Sequence, residues 1–215
     1  MGKIEIRNLL VSECYTNCYL CKNKETGEGF IVDPGENELK ISVNISKMEM
    51  KPVAIILTHG HYDHIGAVNA LKERYGIKVY VSEAEKELIG NKKMNLSSYF
   101  DSPMTIEADE FLKDGQKITL AGINMTFIAT PGHTKGSVCY LYENAIFSGD
   151  TLFRGTCGRC DFYGGDSWAM HDSLAKLALL EGDRPVYPGH EGETSLDQEW
   201  EQSNEFDIRW TSLQI

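Results

Sequence analysis

Residues 58 to 64 read Thr-His-Gly-His-Tyr-Asp-His, so three of the chain's six histidines and an aspartate fall within six consecutive positions. Protonated imidazoles packed this closely repel one another, and neutral ones present lone pairs that need a partner. A cation that accepts imidazole nitrogen and carboxylate oxygen together meets both demands, and zinc, iron and manganese all do so. His59 and His61 alternate as in an extended segment and can aim at one point, whereas the adjacent Asp63 and His64 can face a second. The fold must therefore bring further ligands to this turn.

The surrounding pattern says where the turn lies. The run V-A-I-I-L-T at 53–58 is short, continuous and β-branched, which predicts a strand buried on both faces. Beyond the cluster, Ile65, Val68, Leu71 and Tyr75 have helical spacing, closed by Gly76. Three more metal-type residues stand in similar surroundings: His133 in T-P-G-H-T-K-G-S, Asp150 in F-S-G-D-T and His190 in Y-P-G-H-E, each just past an apolar strand-like run. Five of the six histidines thus form one candidate site at strand ends.

The remaining pattern predicts strands around Ile4 to Val11, in N-C-Y-L-C and in G-F-I-V-D, then a helix at 36–48, a strand at 78–81 and a helix at 82–90. Residues 91–105 have no period and read as a mobile loop. Strands follow at 117–120, 123–129, 137–142 and 145–147, with Glu143-Asn144 as a turn, then a glycine-rich stretch at 155–165. A helix is predicted at 167–181 with Asp166 as N-cap, and a strand leads into His190. Helix layers over a mixed sheet arrangement, in a single domain 1–215 with a short helical tail at about 191–215, is the natural packing.

Composition narrows the function classes. With 41% hydrophobic and 25% charged residues the chain is an ordinary globular protein, and 21 Lys+Arg against 32 Asp+Glu give a charge of -11 that argues against a nucleic-acid partner. No secretory signal and no long apolar run is visible, so a cytoplasmic location without a membrane partner is expected; oligomeric state is not legible. The six cysteines are expected to be free thiols. Cys14, Cys18 and Cys21 read as core-packing side chains on strands, with Cys18 and Cys21 on opposite faces. Cys157-x-x-Cys160 lies close to the site, with a redox switch as the minor reading, and His171 reads as a surface residue.

Taken together, H-x-H-x-D-H at 59–64, His133 in P-G-H-T-x-G-S, Asp150 in S-G-D-T-L-F and His190 in P-G-H resemble the metallo-β-lactamase superfamily over about residues 3 to 190. The resemblance implies an α/β fold, a four-layer αβ/βα sandwich with a dinuclear metal site at one edge between the sheets. It implies that His59, His61 and His133 bind one divalent transition metal, that Asp63, His64 and His190 bind a second, and that Asp150 bridges them. Zinc is the first expectation, with iron or manganese as alternatives. A hydroxide held between such metals is a nucleophile near neutral pH, and Asp63 has a possible second, catalytic role in orienting it. Asp33, in D-P-G, resembles a carboxylate that accepts the other N-H of a ligand histidine, with an ordinary turn aspartate as the alternative.

The stretch G-D-T-L-F-R-G-T-C-G-R-C-D-F-Y-G-G-D at 149–166 resembles the glyoxalase II-like branch in its short single-domain form, which hydrolyses thioesters of glutathione. That likeness would put Arg159, and less directly Tyr163, beside the thiol portion of a small-molecule acyl-thioester or ester substrate. The chain departs from full-length glyoxalase II after His190, where the branch carries a basic helical domain and this sequence has one Arg, Arg209, among seven acidic residues. Two alternatives stay open: a mononuclear-iron persulfide dioxygenase, which keeps all seven positions, and a non-catalytic metal-binding domain.

Overall fold

A computed structural model describes residues 3–143 and 145–205. The expected turn residue Asn144 and the tail beyond 205, Arg209 included, lie outside the described residues. Six strands, β1 (Ile4–Val11), β2 (Thr16–Asn23), β3 (Glu28–Val32), β4 (Lys51–Ile56), β5 (Lys78–Ser82) and β6 (Glu110–Leu112), form one sheet in sequence order. The first three are antiparallel and the pairs from β3 to β6 are parallel. A second six-stranded sheet is built from β7 (Lys117–Leu120), β8 (Ile123–Ala129), β9 (Val138–Tyr142) and β10 (Ala145–Gly149), while β11 (Leu152–Phe153) and β12 (Thr156–Cys157) make a separate small hairpin. With β13 (Pro185–Pro188) and β14 (Thr194–Ser195) the second sheet runs β14-β13-β10-β9-β8-β7, parallel only between β10 and β13.

Parallel neighbours need crossovers, and helices supply them. These are α1 (Glu38–Lys47), α2 (Tyr62–Ile65), α3 (Val68–Tyr75) and α4 (Lys86–Ile89) in the first half and α5 (Ser167–Ala178) between β10 and β13, while α6 (Leu196–Glu205) follows the last strand. Side-chain alternation along each strand then sorts the interior into three cores. On β2, Cys18 and Leu20 face α1 and α3 with Ile41, Val68 and Leu71, whereas Tyr19 and Cys21 face the second sheet with Phe127, Tyr140 and Phe147. Ile55 and Ile56 of β4 divide in the same way, so the run at 53–58 is buried on both faces as its composition predicts. Behind the second sheet, Met170, Leu174 and Leu177 of α5 pack on Ile128, Cys139 and Ile146. Helix, sheet, sheet, helix is the four-layer sandwich that the sequence implied.

Three expectations are corrected. The helical pattern at 63–75 is broken at Gly66-Ala67, because the chain at Pro34-Gly35 docks there: Ala67 N-H donates to Pro34 O (2.9 Å), and a Cβ on Gly66 would lie 2.0 Å from Gly35 O. The segment 91–105 is not simply a loop: Asn95 Nδ2 and Ser97 Oγ both donate to Met104 O (2.9 and 3.0 Å), tying its base and leaving Tyr99 and Phe100 exposed at the tip. Cys14 is not in the core; it lies exposed in the turn between β1 and β2, where Tyr15 adopts a positive φ of 57°. Cys18 and Cys21 are buried in opposite layers as expected, and Asp166 caps α5 by accepting the Trp168 and Ala169 N-H groups. Among the described residues no helix is long and apolar enough to cross a membrane.

Candidate metal centre

Four strand ends meet at one edge of the sandwich. His59 and His61 follow β4, Asp63 and His64 sit in the single turn of α2, His133 follows β8, Asp150 follows β10 and His190 follows β13. The convergence requires close backbone approach. Gly149 reaches φ 50° against the Thr58 side chain, and a Cβ on Gly189 would sit 2.2 Å from Asp150 Oδ1. All seven sequence-predicted ligands are brought together: ligand atoms of His59, His61 and His133, of His59, His64 and Asp150, and of Asp63, His64 and His190 form three groups, each within 4.8 Å of one another.

Outward hydrogen bonds set the imidazole tautomers. His133 Nδ1 donates to Arg159 O (2.7 Å), His190 Nδ1 to Cys14 O (3.1 Å) and His64 Nδ1 to Asp33 Oδ2 (3.0 Å). Thr58 Oγ1 donates to Asp33 Oδ2 (2.6 Å), so it can only accept from His59 Nδ1 at 3.2 Å. Four imidazoles therefore turn Nε2 inward, the orientation that outer acceptors impose on metal-binding histidines. His61 approaches with its other nitrogen, Nδ1 lying 2.9 Å from His133 Nε2.

Three buried atoms of the cluster lack partners of their own. His59 Nε2, His61 Nε2 and Asp150 Oδ1 have no hydrogen bond, an arrangement that costs free energy unless a further partner is supplied. Burial, reinforced by neighbouring imidazoles, holds His59 well below the ordinary histidine range and His61 at about 3, so both are neutral donors. Burial opposes ionisation of Asp63, yet the charges of His64 and His190 hold its carboxyl at about 2. Burial likewise opposes protonation of His190, but hydrogen bonds from its ring to Asp150 and Asp63 raise it to about 11. Its Nε2 lies 3.3 Å from Asp63 Oδ2 and 3.5 Å from Asp150 Oδ2, and Asp150 also stands 3.4 Å from His64 and His133. The pocket thus demands positive charge among two carboxylates and five nitrogens, and the donor set suits borderline divalent cations.

Above these residues opens a cavity of about 780 Å³. Tyr62, Leu96, Tyr99 and Phe100 line it from the first half of the chain and Phe153, Cys157, Arg159 and Phe162 from the second. Tyr62 stacks on Phe100 (3.8 Å between ring centroids), and its hydroxyl meets Cys14 Sγ at 2.9 Å. Arg159 does line the cavity, but Nε and Nη2 are both 2.6 Å from the Asp161 carboxylate. Tyr163 lies apart, lining a separate recess with its hydroxyl 3.4 Å from Glu87. Asp33 is at the outer edge of the cluster, holding Thr58 N-H, Thr58 Oγ1 and His64.

Sequence reasoning missed several residues that shape the site. Thr16 Oγ1 donates to Asp63 Oδ2 (2.9 Å), Asn17 Nδ2 donates to Pro188 O and Glu191 O, and the Tyr19 hydroxyl donates to Pro188 O (2.7 Å). Glu85 is buried and accepts from Gly60 N-H (2.7 Å), Thr134 Oγ1 (2.8 Å) and Gly136 N-H (2.9 Å). Their partners are distant in sequence or reached through backbone atoms, which no local pattern encodes.

Residues 11–190 match the metallo-β-lactamase superfamily, and the chain belongs to it. Within it the chain is 33% identical to the Bacillus subtilis protein named "Probable polyketide biosynthesis zinc-dependent hydrolase PksB", over 82% of this chain and 73% of that protein. The crystal structure of BLEG-1 B3 metallo-beta-lactamase superposes with a TM-score of 0.87 at 33% identity, covering 92% of this chain and 97% of that one. TTHA1623 in a di-iron-bound form gives a TM-score of 0.81 at 30% identity, covering 90% and 96%.

Proposed function

We propose that His59, His61 and His133 hold one divalent metal, that Asp63, His64 and His190 hold a second, that Asp150 lies between both, and that the protein hydrolyses a thioester or ester in the manner of glyoxalase II-like enzymes. The observation that carries this reading is the inward convergence of Nε2 atoms around Asp150, with three buried atoms left unpaired. Each triad would supply three protein ligands with Asp150 beside both, and the cavity opens directly above them, so that a substrate could reach the centre as in catalytic rather than structural sites. Bound there, two such metals supply the Lewis acidity that ionises water near neutral pH and polarises the scissile carbonyl.

The chain's own residues supply the rest. Asp63, ionised and oriented by Thr16, accepts a hydrogen bond from the attacking water and directs it toward the carbonyl carbon. Asp33 and the Arg159 and Cys14 carbonyls keep His64, His133 and His190 in the tautomer that presents Nε2. The aromatic walls exclude bulk water and strengthen electrostatic interactions inside. A zinc-dependent hydrolase and a di-iron protein among the relatives support a transition metal in this chain without choosing between the two elements.

Elemental analysis of the purified protein, paired with assays of thioester hydrolysis, nitrocefin hydrolysis and persulfide-dependent oxygen uptake, tests the proposal. Up to two metals per chain with thioester cleavage supports it. Oxygen uptake with one iron per chain, or nitrocefin cleavage without thioester cleavage, overturns it.

A further inference from the structure

Resting on the hydrolase reading, we infer that the cavity selects a thioester or ester whose acyl part is an extended apolar group, not the glutathione conjugate, with its two carboxylates, that the resemblance suggests. Rings abut the ligand imidazoles themselves: Phe162 lies edge-on to His61 (5.7 Å) and Phe153 edge-on to His190 (5.8 Å). Apolar surface therefore begins where the scissile bond must lie, and it continues through Leu96, Tyr99 and Phe100 to the rim. Tyr99 is 75% and Phe100 43% exposed, large rings that are left partly in water with a cavity of about 780 Å³ beside them. Covering those rings with an apolar chain removes that surface from water.

The charge pattern disfavours the anionic alternative. A glutathionyl tail needs unpaired cations to hold its carboxylates. Among the described residues Arg159 is the only Lys or Arg lining the cavity, and its guanidinium is held by both Asp161 oxygens while lying 4.1 Å over the Phe162 ring. Apart from the histidines of the cluster, the other ionisable side chains at the described wall that carry charge, Asp63, Asp150 and Glu191, are acidic. A guanidinium already engaged by a neighbouring carboxylate and stacked on an aromatic face presents less net positive charge to an incoming carboxylate than an unpaired one, and covers the ring with its own flat face.

The test uses the metal-loaded protein and S-acyl-N-acetylcysteamine thioesters from acetyl to octanoyl, with S-lactoylglutathione as the anionic comparator. The expected result is a kcat/KM that rises about two- to fourfold per methylene, from the transfer free energy of a buried CH2, and that exceeds the value for S-lactoylglutathione. Phe100→Ala and Tyr99→Ala should each lower the octanoyl-to-acetyl ratio of kcat/KM about fivefold; both side chains are partly exposed, so truncation leaves the core intact. Asp161→Asn, which frees Arg159, should lower KM for S-lactoylglutathione several-fold. A flat chain-length series, or a preference for S-lactoylglutathione in the unaltered protein, overturns the inference and leaves the hydrolase reading standing. If no thioester is cleaved by the dimetal protein, the hydrolase reading fails, and calorimetry with ethyl and octyl thioether analogues decides the cavity: tighter octyl binding supports the apolar preference, and equal binding overturns it.

Discussion

Asp33 carries three hydrogen bonds on two carboxylate oxygens, and it does so from a left-handed backbone position, φ 48°, that a residue with a side chain adopts only when its surroundings compensate. Removing the carboxylate in Asp33→Ala leaves the buried Thr58 N-H unpaired and frees the His64 ring. The expected cost is about 1–3 kcal/mol of stability, read by urea unfolding, and about 10- to 100-fold in metal affinity, read by chelator competition. Ala at Asp150 or His190 should leave almost no thioesterase activity, because either change leaves a buried opposite charge uncompensated as well as removing a ligand. A variant of Asp150 retaining near-normal activity would remove it from the proposed centre.

Loops, rather than regular elements, carry every proposed ligand outside α2, and Glu85 ties two of them together. Its Oε2 takes Gly60 N-H, between His59 and His61, and its Oε1 takes Thr134 and Gly136, beside His133. The approach is tight enough that a Cβ on Gly136 would lie 2.6 Å from Oε1. Burial raises the Glu85 carboxyl above its ordinary 4.5, against the pull of its hydrogen bonds. The folded state therefore keeps this proton to higher pH than the unfolded chain does. Glu85's contribution to stability is then fully present below 4.5 and declines as pH rises through the elevated folded value. Glu85→Gln should abolish that slope in unfolding free energy measured from pH 4 upward. Its amide nitrogen would also face the Gly60 N-H, so metal affinity should fall about tenfold; an unchanged slope and affinity would reduce Glu85 to a buried bystander.

The two halves of the sandwich share one aromatic core, and the site exists only while their edges stay in register. Phe147 stands at the centre of that core, with Tyr19, Phe30, Tyr142 and Tyr187 within 6.3 Å of its ring centroid. Phe147→Ala should cost about 3–5 kcal/mol in urea unfolding. Metal held by the proposed ligands, which come from both halves, should act in the opposite sense. At a free metal concentration a hundred times Kd, one bound ion stabilises the fold by about 2.7 kcal/mol. Chelation should therefore lower Tm by about 5–10 °C for a chain of this size, and restoring the metal should recover it.

Much of this was readable from residue order alone. Short-range chemistry marks the seven candidate ligand positions, because a strand end followed by His or Asp is a local event. The layered fold is readable for a similar reason: continuous β-branched runs such as 53–58 and the α5 pattern report burial directly. What strand periodicity could not reveal was the break at Gly66, the tied base of 91–105, the exposure of Cys14, or the roles of Thr16, Asn17 and Glu85. The tied base rests on side chains bonding a carbonyl seven and nine residues on, outside any strand or helix period, and the others depend on partners tens of residues away. Arg159 shows the limit most sharply. Its proximity to the candidate site follows from the glycine-rich stretch, but whether its charge is available depends on the side-chain pairing with Asp161, two residues on. The amino-acid order by itself determined which donor types the candidate centre offers, since donor type is a property of side chains. Only the tertiary structure decided which nitrogen each imidazole turns inward and what surface surrounds the reacting bond, because both are set by neighbours that folding, not sequence, brings together.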